Sequence, residues 1–240
     1  MIFITFDMFL SIKQDIYEKY NMETILNFLK QLSKNNSKQW FDDHRKTYES
    51  SKAEFEFVVK LVIEKSIEFD NQLIGLEAKK CLFRINKDVR FSKDKSPYKI
   101  NMGASINPGG KKSMIPGYYM HIESGNSYLA GGCYMPMPEV LAAIRQEIDY
   151  NSAELKKIIA AKDFKKYFKE LSQEDKLKTT PKGYEKTHPE IALLQLKHFI
   201  AIHPLKDEDV LSKNFPAYAA KVFKAMYSLN VFLRQCMDLK

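Results

Sequence analysis

The hydrophobic period of this chain changes twice, and that change most constrains its fold. Residues 23–34 place Ile25, Leu26, Leu29 and Leu32 at helical spacing. Asn36, with Gln39 three residues on, reads as a capping box. A long helix is predicted from there to near Asn71, its apolar face built from Trp40, His44, Tyr48, Phe55, Val58, Val59, Val62 and Ile63. Over 83–91 the period falls to two. Phe83, Ile85, Val89 and Phe91 alternate with Arg84, Asn86, Asp88 and Arg90, which predicts a half-buried strand with one charged face. The runs INMGASI, GYYMHIE and SYLAGGCYM follow, separated by turn-forming NPGGKKSMIPG and SGN, as in an antiparallel meander. Gly131-Gly132 inside the last run predicts a bulge or a close backbone approach.

Helical spacing then returns. Pro138 suits a first helical position ahead of Val140, Leu141, Ile144 and Ile148. Residues 152–171 read as two helical pieces joined near Ala161, LLQLKHFIAIHPL as a short helix and then a strand ending at Pro204, and 216–238 as a final amphipathic helix. Helices, then strands, then helices predict an α+β fold. Its centre is an antiparallel sheet of about four to six strands, packed with N-terminal and C-terminal helices.

Residues 22–240 are long enough for one domain with a substantial core. Residues 1–21 are set apart as an N-terminal extension. Its apolar start MIFITFDMFL lacks a basic leader and a small-residue cleavage site, and is too short to span a bilayer. Met22 is an equally good start, because the first helix pattern begins just after it. The sparse, odd set Cys81, Cys133 and Cys236 contains no CxxC pair, which predicts reduced thiols in a cytoplasmic protein.

The formal charge of +8 is concentrated. Eight cations and two acids lie between Lys79 and Lys99, which argues for a local anion site. On a strand, Asp88 and Arg90 would be same-face neighbours about 6.6 Å apart, with Arg84 about 13 Å from Asp88. Two guanidinium groups on one face could clamp a phosphate or carboxylate through paired hydrogen bonds. Lys87 falls on the apolar side of the alternation, which implies a bulge or a side chain that snorkels out. The loop SKDKSPYK adds Lys93, Lys95, Lys99 and Tyr98, stiffened by Pro97. A solvated charged face held by ion pairs is the competing account of the same residues.

The run Arg84, Lys87, Asp88, Arg90, Phe91, Asp94, Lys95, Pro97, Tyr98, Lys99 resembles the hallmark R-x-x-R-D-x-R-F-x-x-D-K-x-P-Y-K of an uncharacterised, largely bacterial family, domain of unknown function 2461. The segments GYYMHIE, GGCYMP and PKGYEKTHPE are similar to it as well, and the resemblance extends from Met22 to nearly the C-terminus. Lys87 stands where that family has arginine, which keeps the charge and loses the fork. The resemblance implies a fold and a site, and no reaction.

The expected function is binding of a small anionic ligand, phosphorylated or carboxylated, through Arg84, Lys87, Asp88, Arg90, Lys95, Tyr98 and Lys99. Asp88 and His121 are the proton-transfer candidates should the protein be an enzyme. Cationic neighbours should lower the pKa of Asp88 and make it an orienting group more readily than a base. His121 should share a strand face with Tyr119. Two other classes fit in outline: a nucleic-acid binder using the basic patch with Phe91, Tyr98 and Tyr118, and an interaction module whose basic motif is a structural ion-pair network. The remaining histidines lack metal-ligand spacing, and no P-loop, GxGxxG, GxSxG or HExxH is present, so neither a metal nor a cofactor is implied.

Overall fold

A computed structural model describes residues 20–90 and 93–238. Residues 1–19 of the extension, and Phe91, lie outside the described residues. Asn21 caps the first helix by accepting from the Glu23 and Thr24 amides, and the Tyr20 hydroxyl donates to the Lys213 carbonyl at 2.6 Å.

In chain order the helices ahead of the sheet are α1 (Met22–Lys34), α2 (Lys38–Asp43), α3 (Arg45–Ser66) and α4 (Ala78–Cys81). Strands β1 (Met102–Ile106), β2 (Gly117–Ile122) and β3 (Tyr128–Cys133) follow. Then come α5 (Pro138–Ala160), α6 (Lys162–Tyr167), α7 (Ile191–Leu194), β4 (Phe199–Pro204), α8 (Asp207–Leu211), α9 (Phe215–Ala225) and α10 (Tyr227–Asp238). The fold is α+β: one antiparallel sheet in the order β1-β2-β3-β4, with ten helices among the described residues. None of these helices is long and apolar enough to cross a membrane.

Four local expectations are corrected. Ser37, not Asn36, caps α2, accepting from the Trp40 amide. The predicted long helix is two, broken at His44 (φ −107°, ψ 17°), whose ring stacks on Trp40 and whose Nδ1 contacts the Trp40 carbonyl at 2.8 Å. Over its described residues, 83–90, the segment expected as a strand is not one. It makes single bridges at Leu82–Ala104 and Asn86–Tyr98, because the opposing arm carries Pro97, which has no N–H to extend a ladder. The final helix is likewise split, at Met226.

The register gives each sheet face a distinct character. Ala104, Tyr118, Met120, Ile122, Leu129, Cys133, Phe199 and Ala201 are buried on one side, against α9 and α10, with α3 packed behind α9 and α5 against α10. Gly131 lies on this side too. A Cβ there would collide with the Met226 sulfur, so the expected close approach is the seating of Met226 at the α9–α10 break. The other side carries Gly103 and Ser105 on β1, Tyr119 and His121 on β2, Tyr128, Ala130 and Gly132 on β3, and Ile200 and Ile202 on β4.

Candidate functional site

Small residues on that second side leave room. Ser105 and Ala130 flank Tyr119 in register, and Gly103 and Tyr128 flank His121. The result is a cleft of about 530 Å³ that crosses all four strands, within the usual size range of small-molecule sites. Its floor is Ser105, Tyr119, Tyr128, Ala130, Ile200 and Ile202. Phe83, Lys99 and Asn101 wall it at the β1 edge, and Tyr134 and Glu174 line it near β4. The three phenols are close enough that Tyr128 and Tyr134 reinforce the upward shift that burial imposes on Tyr119, which therefore stays protonated and offers a donor.

The basic segment folds as a short hairpin beside this cleft. Lys87 N–H donates to the Pro97 carbonyl at 2.9 Å, and Lys99 N–H to that of Ile85 at 2.8 Å. Its tip is largely engaged with itself. Arg90 forks onto Asp88 through Nε–Oδ1 (3.0 Å) and Nη2–Oδ2 (2.7 Å), the Lys87 ammonium meets Asp94 at 2.5 Å, and Lys95 Nζ donates to the Val89 carbonyl at 2.9 Å. The Arg90 fork holds the Asp88 carboxyl below its ordinary range, the direction expected from its neighbours.

Tyr98 turns inward. It is buried, stacked on Phe41 with ring centroids 3.9 Å apart, and its backbone is gripped on both sides by the Asn36 side chain: Nδ2 donates to its carbonyl (2.9 Å), and Oδ1 accepts from its N–H (3.1 Å). Tyr98 therefore fastens the hairpin to the α1–α2 turn.

Of the seven residues expected to bind an anion, Lys99 is the one that lines the cleft. Its ammonium lies 5.5 Å from the centre of the Phe83 ring, and its pKa is lowered, first by burial and then by the Arg84 charge. Arg84 is exposed and does not line the cleft, but its charge acts on Lys99.

His121 shares its face with Tyr119, as strand phase predicts, and lies behind the cleft wall. Its Nε2 is 2.9 Å from Glu123 Oε2, and its ring stacks on Tyr128 at 4.5 Å. With Nε2–H donated to Glu123, Nδ1 is left to accept, and it faces the Asn101 amide and the Tyr119 hydroxyl, each at 3.4 Å. His121 thus orients two groups that line the cleft. The three cysteines are free and buried, with burial pushing the thiols up to about 12, 11 and 12 for Cys81, Cys133 and Cys236, so none is a ready nucleophile. Among the described residues no group of three or more His, Cys, Asp and Glu side chains could hold a metal ion.

Sequence reasoning missed Phe83, Asn101, Tyr128, Tyr134 and Glu174 as cleft residues. The signal for part of this was present: Gly103, Ser105, Ala130 and Gly132 sit on the strand phase opposite the large apolar residues, which marks a face left open.

A family model described as conserved hypothetical protein (DUF2461) matches residues 24–232, and the chain belongs to that family. No curated protein and no solved structure shows significant similarity to it.

Proposed function

We propose that this DUF2461 member binds a small organic anion in the cleft over the outer sheet face, with Lys99 as the anchoring charge and Arg84 beside it. The observation that carries this reading is the position of Lys99. Its ammonium is drawn into a cleft, over an aromatic ring, where burial and a second cation both disfavour its charge. A bound phosphate or carboxylate would relieve both costs at once. Phe83, Tyr119 and Tyr128 then offer ring faces and hydroxyl donors to the body of the ligand. Lys87, Asp88, Arg90 and Lys95 shape the hairpin beside the cleft, and Tyr98 anchors that hairpin from within the core.

Native mass spectrometry of freshly purified protein, looking for a co-purified anion, tests the reading directly. A thermal-shift screen of sugar phosphates, nucleotides and carboxylates extends it. A ligand at 100 times its Kd should add about 2.7 kcal/mol of stability. Lys99→Met should remove that gain while leaving the unliganded protein folded. A screen in which no anion raises the melting temperature would count against the proposal.

A single strand of nucleic acid is the second reading, favoured by the exposed rings of Phe83 and Tyr134 at the cleft rim, on which bases could stack. It predicts a steep fall of affinity with salt, roughly 10³-fold or more between 50 and 200 mM when several phosphates are held. One anion at Lys99 gives a much shallower dependence.

A further inference from the structure

The cleft is polarised. Lys99 and Arg84 belong to the hairpin that flanks β1, whose neighbour Phe83 donates its N–H to the Gly103 carbonyl. Glu174 reaches the cleft from the opposite edge, on a loop whose Ser172 N–H donates to the Ile200 carbonyl of β4. Three strand spacings separate those edges, roughly 14 Å. A ligand that neutralises Lys99 and extends across the sheet therefore meets a carboxylate at its other end.

Glu174 shares the cleft lining with the phenols of Tyr128 and Tyr134. Its charge is felt at the Tyr128 hydroxyl, and the Tyr134 hydroxyl is close to the same group. Tyr128, Tyr134 and Glu174 line the same cleft, so an ammonium seated at this end can meet a carboxylate and the negative faces of aromatic rings.

The backbone at this end is also held out of its ordinary conformations. Met135, directly after Tyr134, has φ +48°, and Asp175, directly after Glu174, has φ +53°. Left-handed backbone is unfavourable for a side chain like that of methionine and persists where its surroundings impose it. One imidazole touches both turns. His198 Nδ1 accepts the Met135 N–H at 3.1 Å, its Nε2 lies 3.8 Å from Asp175 Oδ2, and its ring packs 4.9 Å from that of Tyr134. The two residues that line this end of the cleft are thus each followed by a left-handed residue, Met135 hydrogen-bonded to His198 and Asp175 within 3.8 Å of it.

From these observations we infer a second subsite in the cleft, for an ammonium group, formed by Glu174 with the rings of Tyr128 and Tyr134. The ligand is then amphoteric, with an acidic group at the β1 edge and an amine at the β4 edge. For its acidic end this rests on the anion reading above.

Calorimetric titration of the full chain with three probes tests it: hexyl phosphate, 6-aminohexyl phosphate and hexylammonium. The amine should tighten phosphate binding about tenfold, equivalent to about 1.4 kcal/mol. Glu174→Gln, a change at an exposed loop position, should erase that advantage and leave the affinity for hexyl phosphate unchanged. Lys99→Met should weaken both phosphates equally. If the amine adds nothing in the parent protein, or if its advantage survives Glu174→Gln, the ammonium subsite is wrong while the anion reading stands. If neither phosphate binds, the anion reading fails, and hexylammonium decides the subsite alone. Binding that Glu174→Gln abolishes supports it, and no binding overturns it.

Discussion

Lys99 and Arg90 carry the same charge in one hairpin, and the structure gives them opposite circumstances. The Lys99 pKa is depressed by burial and by Arg84, so a bound anion should raise it again. Binding then takes up a proton at pH values above the depressed pKa, and affinity falls as pH rises through that pKa toward the ordinary lysine range. Titration calorimetry in buffers of different ionisation heat should detect that proton, and Lys99→Met should abolish it. Arg90 is paired with Asp88 at a side-chain exposure of 76%. Exposed pairs contribute little, so Arg90→Ala should leave the melting temperature nearly unchanged. A marked fall in melting temperature would instead favour a structural ion-pair network. The hairpin tip has its own pH signature. The Lys87 ammonium, with the Ser96 amide and hydroxyl, holds the Asp94 carboxyl down to about 2. A depressed carboxyl keeps its partners above the unfolded pKa of about 3.9 and releases them as pH falls through the folded value. The Ser96 amide resonance should therefore titrate with a midpoint near 2, and a midpoint at the ordinary aspartate value would mean that the clasp does not form in solution.

At the scale of elements, two glycines on the outer sheet face should behave differently when given a methyl group. A Cβ at Gly132 would run into the Phe199 carbonyl across the strand pair, at a backbone already at φ +120°. Backbone cannot swing aside, so Gly132→Ala should cost about 2–4 kcal/mol in chemical denaturation. A Cβ at Gly103 would meet the Tyr119 hydroxyl at 2.5 Å, the far end of a side chain that can turn. Gly103→Ala should therefore spare the fold and disturb the cleft, visible as weaker anion binding at nearly unchanged stability. Loss of stability in both variants, or in neither, would mean that strand packing does not divide fold from site in this way. The same elements show what period alone can specify. The α1 helix and the helix opened by Pro138 follow from apolar spacing, and so do the break at Ala161 and the strand ending at Pro204, because each buries one regular face. Segment 83–91 has the alternation of a strand without the partner for one, since pairing is decided by what lies opposite, here Pro97. Local sequence likewise makes Asn36 an apt helix cap, whereas the structure uses it to hold Tyr98, which lies 62 residues away.

At the scale of the molecule, a buried polar knot ties the end of the N-terminal helices to the sheet and to the last helix. Arg234 Nη1 and Nη2 fork onto Asp70 at 2.9 and 2.8 Å, the Tyr118 hydroxyl donates to the same carboxylate at 2.9 Å, and Arg234 Nε donates to the Pro116 carbonyl at 2.9 Å. Asn230 adds a bond to the Gly117 carbonyl at 3.1 Å. Asp70 and Arg234 stand 164 residues apart, so no spacing rule could pair them, and their burial follows only from how the layers close. The cleft depends on this closure, because the knot fixes the start of β2, the strand that carries Tyr119 and His121 to the open face. Removing one partner strands the other charge in a dry interior, so Arg234→Ala should cost about 3–5 kcal/mol. Replacing the whole knot by apolar groups of similar size removes the unpaired charge as well. The triple variant Asp70→Leu, Tyr118→Phe, Arg234→Met should therefore regain most of that loss in urea denaturation. If the knot also sets the position of β2, the triple variant should recover stability without recovering the anion affinity of the cleft. Recovery of both would show that the sheet places Tyr119 through its strand pairing alone, and would assign the knot to stability only.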